Sequence, residues 1–142
     1  MAASGFNARD ALRGQSMLRA ADAMLRVLGG TEVTLRLPGQ PVGEATAVEL
    51  GLVQPLVEDV PLTPVVVLPI QTGPRRGQRR YDLLCSASAI GRLVEGRSFN
   101  SVEALFNALL GIVYAGKLLH VESLSAEEFG GVPSVYRVTA NE

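Results

Sequence analysis

The spacing of hydrophobic positions changes along the chain, and each change marks an element boundary. From about Asp10 to Leu28, Leu18, Ala21, Leu25 and Leu28 recur at intervals of three and four, flanked by Met17 and Met24. That spacing predicts an amphipathic helix over 10–28. Arg13, Arg19, Asp22 and Arg26 occupy its remaining faces, and Gly14 weakens its start. Gly29-Gly30 follows at once and marks the end, because glycine takes the left-handed conformation that stops a helix. Residues 1–9 are small and polar and read as a flexible or docking arm.

After the double glycine the period drops to two. Val33, Leu35 and Leu37 alternate with Glu32, Thr34 and Arg36, the pattern of a half-buried strand, and Pro38-Gly39-Gln40-Pro41 turns the chain. Thr46 to Val53 repeats the alternation with Val48, Leu50 and Leu52. From Gln54 to Pro64, prolines at 55, 61 and 64 argue against central-strand pairing, and Glu58 and Asp59 favour exposure, so an extended loop is expected. Leu56, Val57, Glu58, Asp59 and Val60 are its candidate contact residues. Val65 to Leu68 and Tyr81 to Cys85 are short strand-like runs, separated by a glycine-punctuated loop that carries Arg75, Arg76, Arg79 and Arg80.

Ser86 to Val94 fits a short helix and Asn100 to Leu110 a better one. Asn100 would cap it, with Glu103 in the capping-box position and Leu105, Phe106, Leu109 and Leu110 as its stripe. The ending reads as Ile112 to Tyr114, a turn at Ala115-Gly116-Lys117, Leu118 to Leu124, a loop over Ser125 to Pro133, and Ser134 to Thr139. Three runs joined by tight connections predict an antiparallel meander. The expected fold is therefore one domain over 1–142, mainly β with helical additions (α+β). It would be a small antiparallel barrel or sandwich over 31–142, with an N-terminal helix, one inserted helix and long extended loops.

Composition adds one point. The 142 residues are 47% hydrophobic with 15 further glycines, and only 19% charged, against a usual charged share of roughly 25%. Surplus apolar residues with depleted charge suit a subunit whose exterior is covered by neighbours. A composition-biased genome would leave the same imprint. The net charge of −1 argues against a surface that wraps nucleic acid throughout. No apolar stretch approaches a membrane span, and the N-terminus lacks the basic-then-apolar layout of a secretory signal, so use in the compartment of synthesis is expected.

Candidate chemistry is sparse. His120 is the only histidine and Cys85 the only cysteine, too few for a zinc site of ordinary ligand count within one chain. Glu122 falls two residues after His120, a spacing that puts both on one strand face and arises often by chance. No serine lies in a nucleophile-elbow context, and no Gly-rich segment carries the lysine of a phosphate loop. No enzymatic activity, cofactor or metal is expected. Arg75, Arg76, Arg79 and Arg80 carry the one positive argument: clustered guanidinium groups suit phosphates or a carboxylate-lined partner. The same arginines would equally keep a hairpin tip solvated, and no aromatic interleaves them before Tyr81 to stack on bases.

The order of elements resembles the small head-tail connector proteins of tailed bacteriophages, the head-closure or stopper group that includes head-tail joining proteins. The residues carrying the resemblance are Ala20 to Leu37 (AADAMLRVLGGTEVTLRL), where a helix feeds straight into a strand, and Leu110 to Thr139, where strand, turn, strand, loop and strand follow one another. The helical insertion at Ser98 to Leu110 departs from that layout. The resemblance implies a virion protein assembled in the host cytoplasm, a homo-oligomeric ring between portal or adaptor and tail proteins, with non-specific contact to packaged DNA. It implies that the arginine loop faces DNA or an acidic neighbour, that Leu18, Ala21, Leu25 and Leu28 present the helix to an adjacent ring, and that the loop at 56–60 reaches a neighbour. A tail terminator or other tail-completion ring protein is the nearest alternative, and a small intracellular protein-binding module the next.

Overall fold

The double glycine acts through two separate requirements. The computed structural model describes residues 8–39, 56–70, 79–129 and 131–142. In it, helix α1 (Ala8–Val27) ends with the N–H groups of Leu28, Gly29 and Gly30 donating to the carbonyls of Met24, Arg26 and Leu25. Gly29 has φ +91°, a left-handed backbone. Gly30 is needed for space, since a Cβ there would stand 2.8 Å from the Leu25 carbonyl oxygen. Leu28 therefore lies in the turn, not in the helix.

The chain then enters β1 (Thr31–Pro38), where Val33, Leu35 and Leu37 are buried as the alternation requires. Next come β2 (Val57–Ile70), β3 (Arg80–Ser86), α2 (Ala87–Gly96), α3 (Val102–Ala108), β4 (Gly111–Tyr114), β5 (Lys117–Phe129) and β6 (Val132–Asn141). The six strands form a closed antiparallel barrel in the order β1-β2-β3-β6-β5-β4. It consists of two three-stranded meanders, β1-β2-β3 and β4-β5-β6, joined by α2 and α3. The meanders are zipped along two seams, β3 to β6 and β1 to β4. Closure leaves no strand at the margin of an open sheet, where uncontrolled pairing would start, and confines unpaired backbone to short stretches. The fold is thus mainly β with helices, the small barrel expected, and the two helical runs read at 86–94 and 100–110 are α2 and α3, so the insertion is a helix pair and not a single helix.

The core is the barrel interior. Leu35, Leu62, Leu83, Ile112, Leu119 and Val138 are each at most 2% exposed. Ile90 of α2 and Leu105 and Phe106 of α3 join the same cluster and close the end where β1 finishes and β4 begins. Tyr81 and Tyr114 meet edge-on near the other end, with ring centroids 6.1 Å apart. A second, smaller cluster lies outside the wall, where Ala21 and Leu25 of α1 cover Val66, Leu84 and Val135. Those three come from the outward faces of β2, β3 and β6, which explains why β6 carries apolar residues on both faces.

The expected extended loop at 54–64 is corrected: from Val57 onward it is strand. Residues 57–65 pair with β1 and residues 65–70 pair with β3, so β2 exchanges partners at Val65 and each half has one unpaired edge. Proline is compatible with an edge strand because its missing N–H need not face a neighbour. Pro61 and Pro64 stand in the first half and Pro69 in the second. A register shift between Thr31 and Val33 accompanies the change of partner. The free edge of the first half meets the end of α2, where Arg97 grips Glu58.

Two more boundaries differ. Helix α3 is capped by Ser101, whose Oγ accepts the Ala104 N–H at 3.1 Å, and not by Asn100. The expected loop over Ser125 to Pro133 is instead strand on both sides of a short turn, with Ser125, Ala126 and Glu127 opposite Arg137, Tyr136 and Val135. The alternating run at 46–53 and residues 1–7 of the arm lie outside the described residues, while Ala8 and Arg9, read as part of the arm, belong to α1.

Candidate interaction surfaces

At the barrel end where β3 begins, the sequence-predicted arginines part company. Arg75 and Arg76 lie outside the described residues. Arg80 is the first residue of β3, and its guanidinium is already engaged: Nε donates to Glu122 Oε2 at 3.1 Å, and Asn141 donates to the other oxygen of the same carboxylate. Those donors hold the Glu122 carboxyl below its ordinary value, Arg80 foremost and Asn141 next. Arg79 is exposed, and its carbonyl accepts the Glu142 N–H at 3.1 Å. Lys117 pairs with the Glu142 side chain at 2.6 Å. In this cluster Arg79 is the cationic head that the described carboxylates leave available.

The same geometry bears on His120. It stands exposed on β5, but a register shift between Val121 and Ser123 interrupts the strand, and the Glu122 carboxylate is taken by Arg80 and Asn141. Both side chains line one groove between α3 and β5, where the Glu122 carboxylate is already engaged by Arg80 and Asn141. Cys85 is buried in the barrel, and burial pushes its thiol up to about 12, which suits a small hydrophobe and not a nucleophile. Among the described residues no group of three potential metal ligands comes together, and no helix is long and apolar enough to cross a membrane.

Leu56, Val57, Glu58, Asp59 and Val60 are not a free loop. Val60 is buried in the core, while Leu56 and Val57 are exposed. Asp59 accepts a bidentate pair from Arg36 at 2.9 and 3.2 Å, and Glu58 a bidentate pair from Arg97. Each arginine holds its carboxylate below the ordinary range through hydrogen bonds first and charge second. These are links within the fold, tying β1 to β2 and α2 to β2.

Helix α1 divides its stripe. Ala21 and Leu25 face the chain's own barrel, Leu18 is half-buried, and Leu28 is 58% exposed. Val27 at 85% and Met24 at 52% extend that uncovered apolar edge. The sequence pattern puts Asp22 outside the apolar stripe, yet its position four after Leu18 and three before Leu25 brings it to the face that packs on the barrel. There it accepts from the hydroxyls of Ser86 at 2.5 Å and Ser88 at 2.6 Å. Ser86 is fully buried and also caps α2, its Oγ accepting the Ala89 N–H at 3.1 Å. One hydroxyl thus fastens α1 to the start of α2.

A groove of about 470 Å³ runs between α3 and β5. Phe106, Leu109, Val121 and Leu124 contribute its apolar lining, and Glu103 and Glu122 its carboxylates. Comparison of the chain with protein-family models, curated proteins and solved structures finds no match in any of the three.

Proposed function

We propose that this chain is a structural assembly subunit forming a head-tail connector ring, of the head-closure type, between the portal and the tail of a phage-like particle. One observation carries the reading. A small closed barrel bears a helix fixed on its outer wall, with an apolar edge left uncovered, while the β1–β2 and β2–β3 connections leave from opposite ends. A wall, a docking helix and two long connections are the parts a connector ring needs, and the element order resembles that group. The reading also accounts for an apolar surplus that the barrel interior does not absorb.

Packaged DNA is the second partner proposed, through Arg75, Arg76 and Arg79. Arg80 belongs to the Glu122 pair and contributes less. Replacing all four arginines with serine is expected to abolish DNA retention or head-tail joining. Virion yield unchanged by the substitution would remove DNA from the account.

The test of the connector role is co-sedimentation of the purified chain with capsids that carry a portal and with shells that lack one. Binding confined to portal-bearing capsids is the expected result. Equal binding to both, or to neither, would overturn it, and binding to tail tubes alone would replace it with the tail-terminator role.

A further inference from the structure

Strand β5 outruns one of its two neighbours. It pairs with β4 only over Lys117, Leu118 and Leu119, while its pairing with β6 continues to Phe129. Beyond Leu119 one side of β5 is therefore open, and among the described residues no other backbone group bonds to it there. Register shifts between Val121 and Ser123 and between Glu127 and Glu128 bound a regular run, Ser123 to Glu127. Within that run alternate N–H and C=O groups point away from β6. The unpaired sides of β2 are punctuated by Pro61, Pro64 and Pro69, which block a further strand from pairing there. No proline stands in β5.

The groove of about 470 Å³ between α3 and β5 lies against this open side, with residues 120–124 as one lip and α3 with the residues after it as the other. Val121 and Leu124 pack on the core cluster and, with Phe106 and Leu109, give the groove an apolar floor. A strand added to β5 would turn every second side chain onto that floor. Glu103 on α3 and Glu128 on β5 are exposed, and neither joins an ion pair among the described residues. Both bear on Tyr136 of β6, the residue opposite Ala126: burial first, then their negative charge, holds its phenol above the ordinary value. We infer that the open side of β5 accepts an extended segment of a partner protein as an added strand, apolar at alternate positions and basic at its ends. The unpaired backbone groups specify an extended chain, the floor selects apolar alternation, and the two carboxylates select positive charge. This goes beyond the connector reading and does not depend on it.

The test is calorimetric titration of the full chain with a heptapeptide of alternating valine and threonine closed by lysine at both ends, joined to hydrogen exchange of the β5 amides. Saturable binding is expected, with exchange slowed over 121–127. The same peptide methylated on every backbone nitrogen between its lysines keeps its side chains and charge, and should not bind. Glutamate in place of both lysines should weaken binding about tenfold. Glu103→Lys and Glu128→Lys together should reverse that preference. Both residues are exposed, so the melting temperature should match wild type, and the two peptides test the charge on wild type should the variant unfold. No binding, binding by the methylated peptide, equal binding of the lysine and glutamate peptides, or unchanged exchange over 121–127 would overturn the inference. So would slow exchange of every amide in 121–127 without peptide, on dilution or at rising concentration, because the chain itself or a second copy would then hold the edge.

Discussion

Ser86 concentrates more structural consequence than any other polar residue described. It terminates β3, caps α2 and donates to Asp22 on α1, all from a fully buried position. Ser86→Ala should therefore lose a helix cap, typically about 1 kcal/mol, together with the Asp22 bond. Ser101→Ala should lose only its cap. Asp22→Ala leaves the Ser86 hydroxyl without its acceptor, a loss on the order of 1–3 kcal/mol. Urea unfolding of the three variants should rank Ser101→Ala as mildest; equal midpoints for all three would deny Asp22 its fastening role. Cys85 gives a second residue-scale check. With its thiol buried and pushed up to about 12, labelling by a thiol reagent at mild alkaline pH should wait for global unfolding. Rapid labelling of the native chain would contradict its burial.

Ion pairs set the expected response to acid. Glu58, Asp59 and Glu122 are all held below their ordinary values of 4.5, 3.8 and 4.5 by arginine partners. Groups lowered by folding bind fewer protons in the native state. Their stabilisation is complete above those ordinary values and is lost as pH falls below them through the lowered ones. Unfolding midpoints in urea should fall across that acid window, and Glu58→Gln, Asp59→Asn and Glu122→Gln together should flatten the fall. All three carboxylates are solvent-accessible, so added salt should weaken the effect. An acid slope unchanged in the triple variant would place the pH dependence elsewhere.

At the scale of elements, local pattern and neighbourhood divide the explanation. Alternation placed Val33, Leu35 and Leu37 correctly because one face of β1 is buried along its length, and the double glycine fixed the end of α1. The prolines of β2 misled because proline reports only that a backbone donor is missing. Which side of a strand lacks a neighbour is set by β3 joining at Val65, some 20 residues further along the chain. The strand at 125–129 was hidden for a related reason. Ser125, Ala126, Glu127 and Glu128 carry little strand propensity, and pairing with β6 imposes the conformation. Of the candidate surfaces, the helix stripe was legible, but not its division. Leu25→Ala should cost about 2–5 kcal/mol, since its side chain is 1% exposed against Val66 and Val135, whereas Leu28→Ala should change little. Thermal melts of the two variants check the division, and equal losses would contradict it.

For the molecule as a whole, the described hydrophobic residues fall into three groups: the barrel interior, the small cluster beneath α1, and an exposed remainder spread over α1 and its end (Met17, Met24, Val27, Leu28), β2 and the residue before it (Leu56, Val57, Leu68), and the β4–β5 side (Leu110, Leu118). Composition announced a surplus but could not locate it, because period-two alternation fixes the face of a strand and not its place around a barrel. The closed order of strands supplies that location. Of the four clustered arginines, Arg79 and Arg80 fall among the described residues, and the capture of Arg80 by Glu122 depends on a contact 42 residues away in sequence.

The most direct measurement is the number of copies bound per capsid, counted by quantitative mass photometry or scintillation on portal-bearing capsids and on shells without a portal. A small fixed number at saturation, present only where a portal is present, is the predicted result. Binding that rises with shell area regardless of the portal, or no binding at all, would contradict the connector assignment.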